Sequence, residues 1–175
     1  CNSLKRENVM ILEIGCGPGN ITKYLLSQKT DLNILATDIS PNMIDLAKRN
    51  NPSARFAVMD CRDIDQIKTT FDAVICGFCI PYLSPVDCDK LIYDTSNILN
   101  SNGLLYVSFV EGGPEKSGFQ HGVTGDRIYF YFYDLDKLKL NLNLHDFEII
   151  QMFKIEYKKS EAESDYHTVL IAQKP

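Results

Sequence analysis

The chain has 175 residues, with 18 Lys and Arg against 23 Asp and Glu, a net charge of −5. With 45% apolar and 23% charged residues, it excludes a disordered or collagen-like chain and fits one folded domain, residues 1–175. The acidic balance argues against a general nucleic-acid binder, which needs a basic face, and no apolar run approaches the roughly 20 residues of a membrane helix.

In chain order, Val9 to Ile14 is a short apolar run ending in glycines, the pattern of a buried parallel strand. A helix is expected over 18–28, with Ile21, Tyr24 and Leu25 at helical spacing, then a second buried strand over 33–37. Ser40-Pro41 opens another helix, Ser as N-cap and Pro at the first helical position, where its missing N–H costs nothing. Strands follow over 55–59 and 71–76. Ser84-Pro85 caps a helix to about Asn100, Asn102-Gly103 turns the chain, and 104–110 is the fifth strand. This alternation predicts an α/β, Rossmann-like, doubly wound and mostly parallel sheet.

The tail differs. Residues 111–126 carry five glycines without apolar periodicity and read as one long loop, a length that usually serves function. Residues 128–133 alternate Ile or Phe with Tyr, as a strand does. A helix over 135–144 and two strands, 147–157 and 167–173, complete the chain. The charged joint between those strands predicts a hairpin, so the expected seven-stranded sheet ends in an antiparallel edge.

Six cysteines stand at 1, 16, 61, 76, 79 and 88. Cys16, Cys61 and Cys76 fall at or beside strand ends, where small buried thiols sit, which points to a reduced, cytoplasmic protein. Cys76-Gly-Phe-Cys79 is a CxxC, but Ile80-Pro81 follows where a redox helix would begin. No second pair completes a zinc site, so no metal is expected.

The strongest signal is Glu13-Ile-Gly15-Cys16-Gly17-Pro-Gly19, between a strand and a helix, with Asp38 ending the next strand. Glycines let the backbone turn and let a ligand approach, and an acid at that place accepts from ribose hydroxyls. A dinucleotide fingerprint wants its third glycine at the sixth position, and that position, counted from Gly15, is Asn20. With no Tyr-x-x-x-Lys pair either, an NAD(P)-dependent oxidoreductase is the weaker alternative.

At this point the chain resembles the class I S-adenosylmethionine-dependent methyltransferases. Glu13 to Gly19 resembles their first motif and Ala36-Thr-Asp38-Ile-Ser-Pro-Asn-Met43 their second. Asp60-Cys61 is similar to their adenine-binding position, Phe71 to Phe78 to their fourth motif and Gly103 to Phe109 to their fifth strand. The resemblance implies S-adenosylmethionine as cofactor and S-adenosylhomocysteine as product. It also implies a cofactor site of Glu13, Gly15, Cys16, Gly17, Asp38, Ile39, Met43, Asp60, Cys61, Gly77 and Phe78. Gly15 and Gly17 would underlie the amino-acid and ribose parts. Glu13 would order the loop or reach the methionine end, Asp38 would bind both ribose hydroxyls, and Ile39 would pack on the adenine. Asp60 would accept from the adenine amine, the Cys61 N–H would meet a ring nitrogen, and Gly77 and Phe78 would lie beside the sulfonium. For the Met43, Ile44 and Cys61 side chains core packing is at least as strong a reading as contact. The resemblance also implies an N-terminal helical cover, and the chain, opening at Cys1 with its first strand near residue 8, is expected to lack one.

Methyl transfer is an in-line displacement that gains its rate from alignment, so the lack of an obvious triad is expected. Nucleic-acid amino-methylases of this resemblance carry Asp/Asn-Pro-Pro-aromatic after the fourth strand. Here Phe78-Cys79-Ile80-Pro81-Tyr82 stands there, which favours a small-molecule acceptor. Acceptor-side candidates are Tyr82, Glu111, His121, Arg127 and the Tyr129-Tyr131-Tyr133 face, which either lines a pocket or covers the sheet. Tyr82, His121 and Tyr133 are the candidates for catalysis. His121 is the best-placed base of three histidines, its alternative being a solvated loop residue; His145 and His167 read as structural or surface groups. A non-catalytic cofactor-binding member of the same fold is the remaining alternative.

Overall fold

The computed structural model describes residues 8–29, 31–121, 125, 127–158 and 164–175. Its central sheet has seven strands in the order β3-β2-β1-β4-β5-β9-β8. The strands β1 (Met10–Ile14), β2 (Asn33–Asp38), β3 (Arg55–Val58), β4 (Phe71–Gly77) and β5 (Leu99–Glu111) pair in parallel. The antiparallel strands β8 (Glu148–Lys158) and β9 (Ser164–Gln173) close one edge. This is the doubly wound, mostly parallel sheet with a C-terminal antiparallel pair that the sequence predicts.

Two helices cover each face. Helices α1 (Asn20–Gln28) and α2 (Pro41–Asn50) bury Leu25, Ile44 and Ala47 against Ile11, Ala36 and Ala73. Helices α3 (Pro85–Ile98) and α4 (Leu135–Leu144) bury Leu91, Ile92, Leu138 and Leu142 against Leu12, Val74, Val107 and Phe109. Because β1 and β4 are covered on both faces, they read as largely apolar runs, interrupted by Glu13 and Asp72. The caps are local. Ser40 accepts from the Met43 N–H at 3.4 Å, Ser84 from that of Asp87 at 3.1 Å, and Asp134 from that of Lys137 at 2.9 Å.

The region after β5 departs from the expected long loop. Strand β6 (Gly118–His121) pairs with β7 (Arg127–Phe130) in a separate two-stranded antiparallel sheet. The expected strand 128–133 ends early because the Tyr131 N–H leaves the ladder and donates to the Pro81 carbonyl at 2.7 Å. The alternation that would align three tyrosines stops there. Tyr129 and Tyr131 still meet, ring centroids 4.6 Å apart, but Phe132 and Tyr133 both turn into the interior.

Candidate cofactor and acceptor site

Strands β1 and β4 are neighbours, yet β2 and β3 follow β1 outward in one direction and β5 follows β4 in the other. At such a switch point the loops after the two strands diverge and leave a crevice at their carboxyl ends. The glycine loop after β1 and Gly77-Phe78 after β4 border this crevice.

The loop adopts a shape that glycines allow, with φ of +66° at Gly15 and +52° at Gly17. A Cβ at Gly15 would sit 3.1 Å from Cys79 Cβ, so the loop lies directly against the segment after β4. A Cβ at Gly17 would meet nothing within 4 Å, so the outer face of the loop opens onto free space.

Asp38, at the end of β2, faces this loop. One carboxylate oxygen accepts the Gly17 N–H at 2.9 Å and the other the Ser40 N–H at 2.8 Å. The carboxylate is thus fixed in orientation, and each oxygen keeps a second lone pair. Ile39 follows, an apolar side chain left 62% exposed, and Met43 is partly exposed nearby. The Met59 N–H donates to the Asp38 carbonyl at 3.0 Å, which brings the end of β3, and with it Asp60 and Cys61, beside Asp38.

Asp60 is already engaged. It caps a short 3-10 turn (Cys61–Gln66) by accepting the Arg62 N–H at 3.0 Å, and its two oxygens accept the Arg62 guanidinium. The Arg62 side-chain hydrogen bond, with the Arg62 N–H and charge, holds the Asp60 carboxyl below its usual value against the opposing effect of burial.

Glu13 is enclosed beneath the loop, 1% exposed. Its Oε2 accepts the Thr22 hydroxyl from α1, while Oε1 has no partner among the described residues. Burial pushes the carboxyl up to about 7, outweighing the hydrogen bonds from Thr22. Cys16 contributes backbone to the loop: its N–H donates to the Thr37 carbonyl at 2.9 Å, and its side chain packs in the α1-side core. Burial, with Glu13 adding to it, pushes that thiol up to about 12.

After β4, Phe78 stands at φ +59°, uncommon for a bulky residue, with its N–H held by Ser108 Oγ at 2.9 Å and its ring 39% exposed. Cys79 interacts with Cys61, whose hydrogen bond lowers its pKa, and with Cys76. The Cys76 contact and burial prevail and hold the Cys79 thiol well above its ordinary value. The Cys79 hydrogen bond and burial raise Cys61 too. Cys16, Cys61, Cys76, Cys79 and Cys88 are all free, and the raised Cys79 thiol opposes a redox role for the CxxC. Among the described residues no three metal-ligating side chains gather.

The acceptor-side candidates separate. Tyr82 is exposed in a 3-10 turn (Ile80–Tyr82), edge-on to Phe130 at 5.7 Å. His121 ends β6, exposed, paired with Arg127, whose guanidinium lies 4.4 Å over the Phe119 ring. Tyr133 is a core residue: its hydroxyl donates to the Leu83 carbonyl at 2.7 Å, and burial drives its pKa far up. Glu111 accepts from Lys154 Nζ at 2.7 Å and from the Thr168 hydroxyl at 2.9 Å. Sequence reasoning missed Ser40, Ser108 and Arg62, which position Asp38, Phe78 and Asp60. Ser40 alone carried a local signal, as the cap of α2.

Comparison with known proteins bears on the family and the fold. A family model described as a methyltransferase domain matches residues 11–103. A malonyl-[acyl-carrier protein] O-methyltransferase of Acetivibrio thermocellus is 32% identical over 105 residues, covering 59% of this chain and 36% of its own. A tRNA N(3)-methylcytidine methyltransferase of Schizosaccharomyces pombe is 33% identical over 105 residues, 54% of this chain and 34% of its own. The chain therefore spans about a third of the length of these curated relatives. A solved SAM-dependent methyltransferase from Methanosarcina mazei superposes with a TM-score of 0.83 at 20% identity, covering 99% of this chain and 95% of that one. The sheet order and the crevice at its switch point define a class I, S-adenosylmethionine-dependent methyltransferase fold. The chain belongs to the methyltransferase-domain family.

Proposed function

We propose that residues 1–175 form one methyltransferase domain that carries a methyl group from S-adenosylmethionine to a small-molecule acceptor. The observation that carries this reading is Asp38, fixed by the Gly17 and Ser40 N–H groups beside a loop whose outer face is open. The residues present fit the cofactor. Asp38 accepts from the two ribose hydroxyls, and exposed Ile39 and Met43 offer apolar surface to the adenine. Asp60 and the Cys61 N–H read the adenine edge, with Arg62 keeping Asp60 ionised. Gly15, Gly17 and the Cys16 backbone line the approach, while Glu13, with its free Oε1, and Gly77-Phe78 border the methionine end.

When bound, the cofactor would supply a methyl activated on a sulfonium, whose departing group is a neutral thioether. The contribution of the chain is alignment, which is worth several kcal/mol when reacting atoms are held in line. Fixed groups such as Asp38 and the Ser108-held Phe78 suit that task. A small acceptor is supported by the acidic chain, by the absence of a leading Asp or Asn in Phe78 to Tyr82, and by the relative named for a malonyl carrier substrate. Free thiols support a cytoplasmic setting. Among the described residues no helix is long and apolar enough to cross a membrane.

The test follows labelled methyl from S-adenosylmethionine into a small-metabolite extract and, separately, into total tRNA. Label in the metabolite fraction is the expected result. Label in tRNA would overturn the small-acceptor reading. Cofactor binding with label in neither would favour a non-catalytic binding member of the fold.

A further inference from the structure

We infer that His167 belongs to the acceptor side of the site, where its imidazole receives the proton of an O–H or N–H acceptor; this rests on the methyl-transfer reading above. Strand β9 runs antiparallel to β5, so β9 begins where β5 ends, at the ligand-binding end of the sheet. His167 pairs with Val110, one residue before the end of β5. Phe78 emerges from β4 on the other flank of β5, and Ser108 of β5 holds its N–H. The Phe78 ring thereby reaches across β5 and meets the His167 ring edge-on, with centroids 4.8 Å apart. Tyr157 of β8 stacks on the same imidazole at 5.2 Å and 13°. The fold thus ties this histidine to the residue that borders the methionine end of the crevice.

Three histidines are available, and their surroundings differ. His145 caps α4, its Nε2 3.1 Å from Asp89 Oδ1. His121 stands in the outlying two-stranded sheet. His167 is fixed by ring packing alone, and among the described residues neither of its ring nitrogens has a hydrogen-bond partner. A ring held in place with its nitrogens free is what a proton acceptor requires. Phe78 and Tyr157 make its surroundings aromatic, which favours a planar acceptor such as a phenol or an aromatic amine. In the step, the acceptor oxygen or nitrogen bonds to the methyl carbon as the carbon–sulfur bond breaks. The bond pair goes to sulfur, leaving a neutral thioether, and the acceptor proton passes to His167.

The test compares the histidine-ring 1H–13C signals of the protein saturated with S-adenosylmethionine and with S-adenosylhomocysteine, which differ only in the methyl group and its charge. Calorimetry confirms saturation, His167→Gln assigns the signal, and phenol serves as the probe acceptor. The His167 signals are expected to differ between the two complexes and to move again on adding phenol, with His145 unchanged. Identical His167 signals in both saturated complexes would overturn the inference. Absence of any cofactor binding in the calorimeter would instead remove the methyl-transfer reading, and the inference with it. Methyl transfer to phenol slowed about 10²-fold in His167→Gln, and recovered at alkaline pH where phenol ionises unaided, is the second expected result. Equal rates for the two proteins would overturn the proton-accepting role.

Discussion

Glu13 shows what a single residue bears in this site. Its carboxyl, enclosed and half-satisfied, is raised from an ordinary 4.5 to about 7. Between those values the folded protein binds a proton that the unfolded chain has released, so stability falls as pH rises from 4.5 to 7 and levels off above. The full effect is bounded at about 3 kcal/mol. Glu13→Gln removes the titration and keeps an acceptor for Thr22. Denaturant unfolding at pH 5 and pH 8 is expected to show the variant gaining on wild type by about 2–3 kcal/mol more at the higher pH. An equal difference at both pH values would contradict the buried, raised carboxyl. Gly17 makes the complementary prediction, because a side chain there enters the open face of the loop and takes a strained φ. Gly17→Val is expected to abolish cofactor binding in a folded protein, as read by calorimetry beside circular dichroism. The placing of Glu13, Gly17 and Asp38 around one loop was legible because each lies in a short motif at a strand end. Ser108 and His167 were not, because each gains its neighbours only when strands distant in sequence pair.

At the level of elements, the glycine loop is locked to α2. Asn51, 4% exposed at the end of α2, donates from Nδ2 to the Gly19 carbonyl at 3.0 Å and to the Ala47 carbonyl at 3.4 Å. Asn51→Ala leaves the Gly19 carbonyl unpaired, and a stability loss of about 1–3 kcal/mol is expected in chemical unfolding. No loss would show that the loop holds its shape without α2. The helices were legible because Ser40-Pro41 and Ser84-Pro85 act within one turn. The β6–β7 pair was not: Gly-Phe-Gln-His carries no alternation, and its ladder exists only because β7 lies opposite. The end of β7 depends on the Pro81 carbonyl capturing the Tyr131 N–H, a tertiary contact that overrides the Tyr-Phe alternation.

For the molecule as a whole, apolar runs buried on both faces and regular helix caps forced the doubly wound sheet, and the sheet alone creates the crevice. The glycine loop, Asp38 and Asp60 follow one another in the sequence, and the sheet brings them together at the carboxyl ends of β1, β2 and β3. The neighbourhood of Phe78 and His167 was less legible because β4, β5, β8 and β9, distant in sequence, meet there. The net charge of −5 predicts weak, salt-sensitive binding to tRNA, measurable by fluorescence anisotropy; tight binding at 0.15 M salt would contradict a small-molecule acceptor. The most direct test of the central claim is a calorimetric titration with S-adenosylmethionine and S-adenosylhomocysteine, with NADH as control, on wild type and Asp38→Ala. Both methionine-derived ligands are expected to bind, and NADH is not. Asp38→Ala should weaken both by about 1–3 kcal/mol, since it loses the ribose acceptors and the tie to Gly17 together. Binding of NADH alone, or unchanged affinity in a folded Asp38→Ala protein, would contradict it.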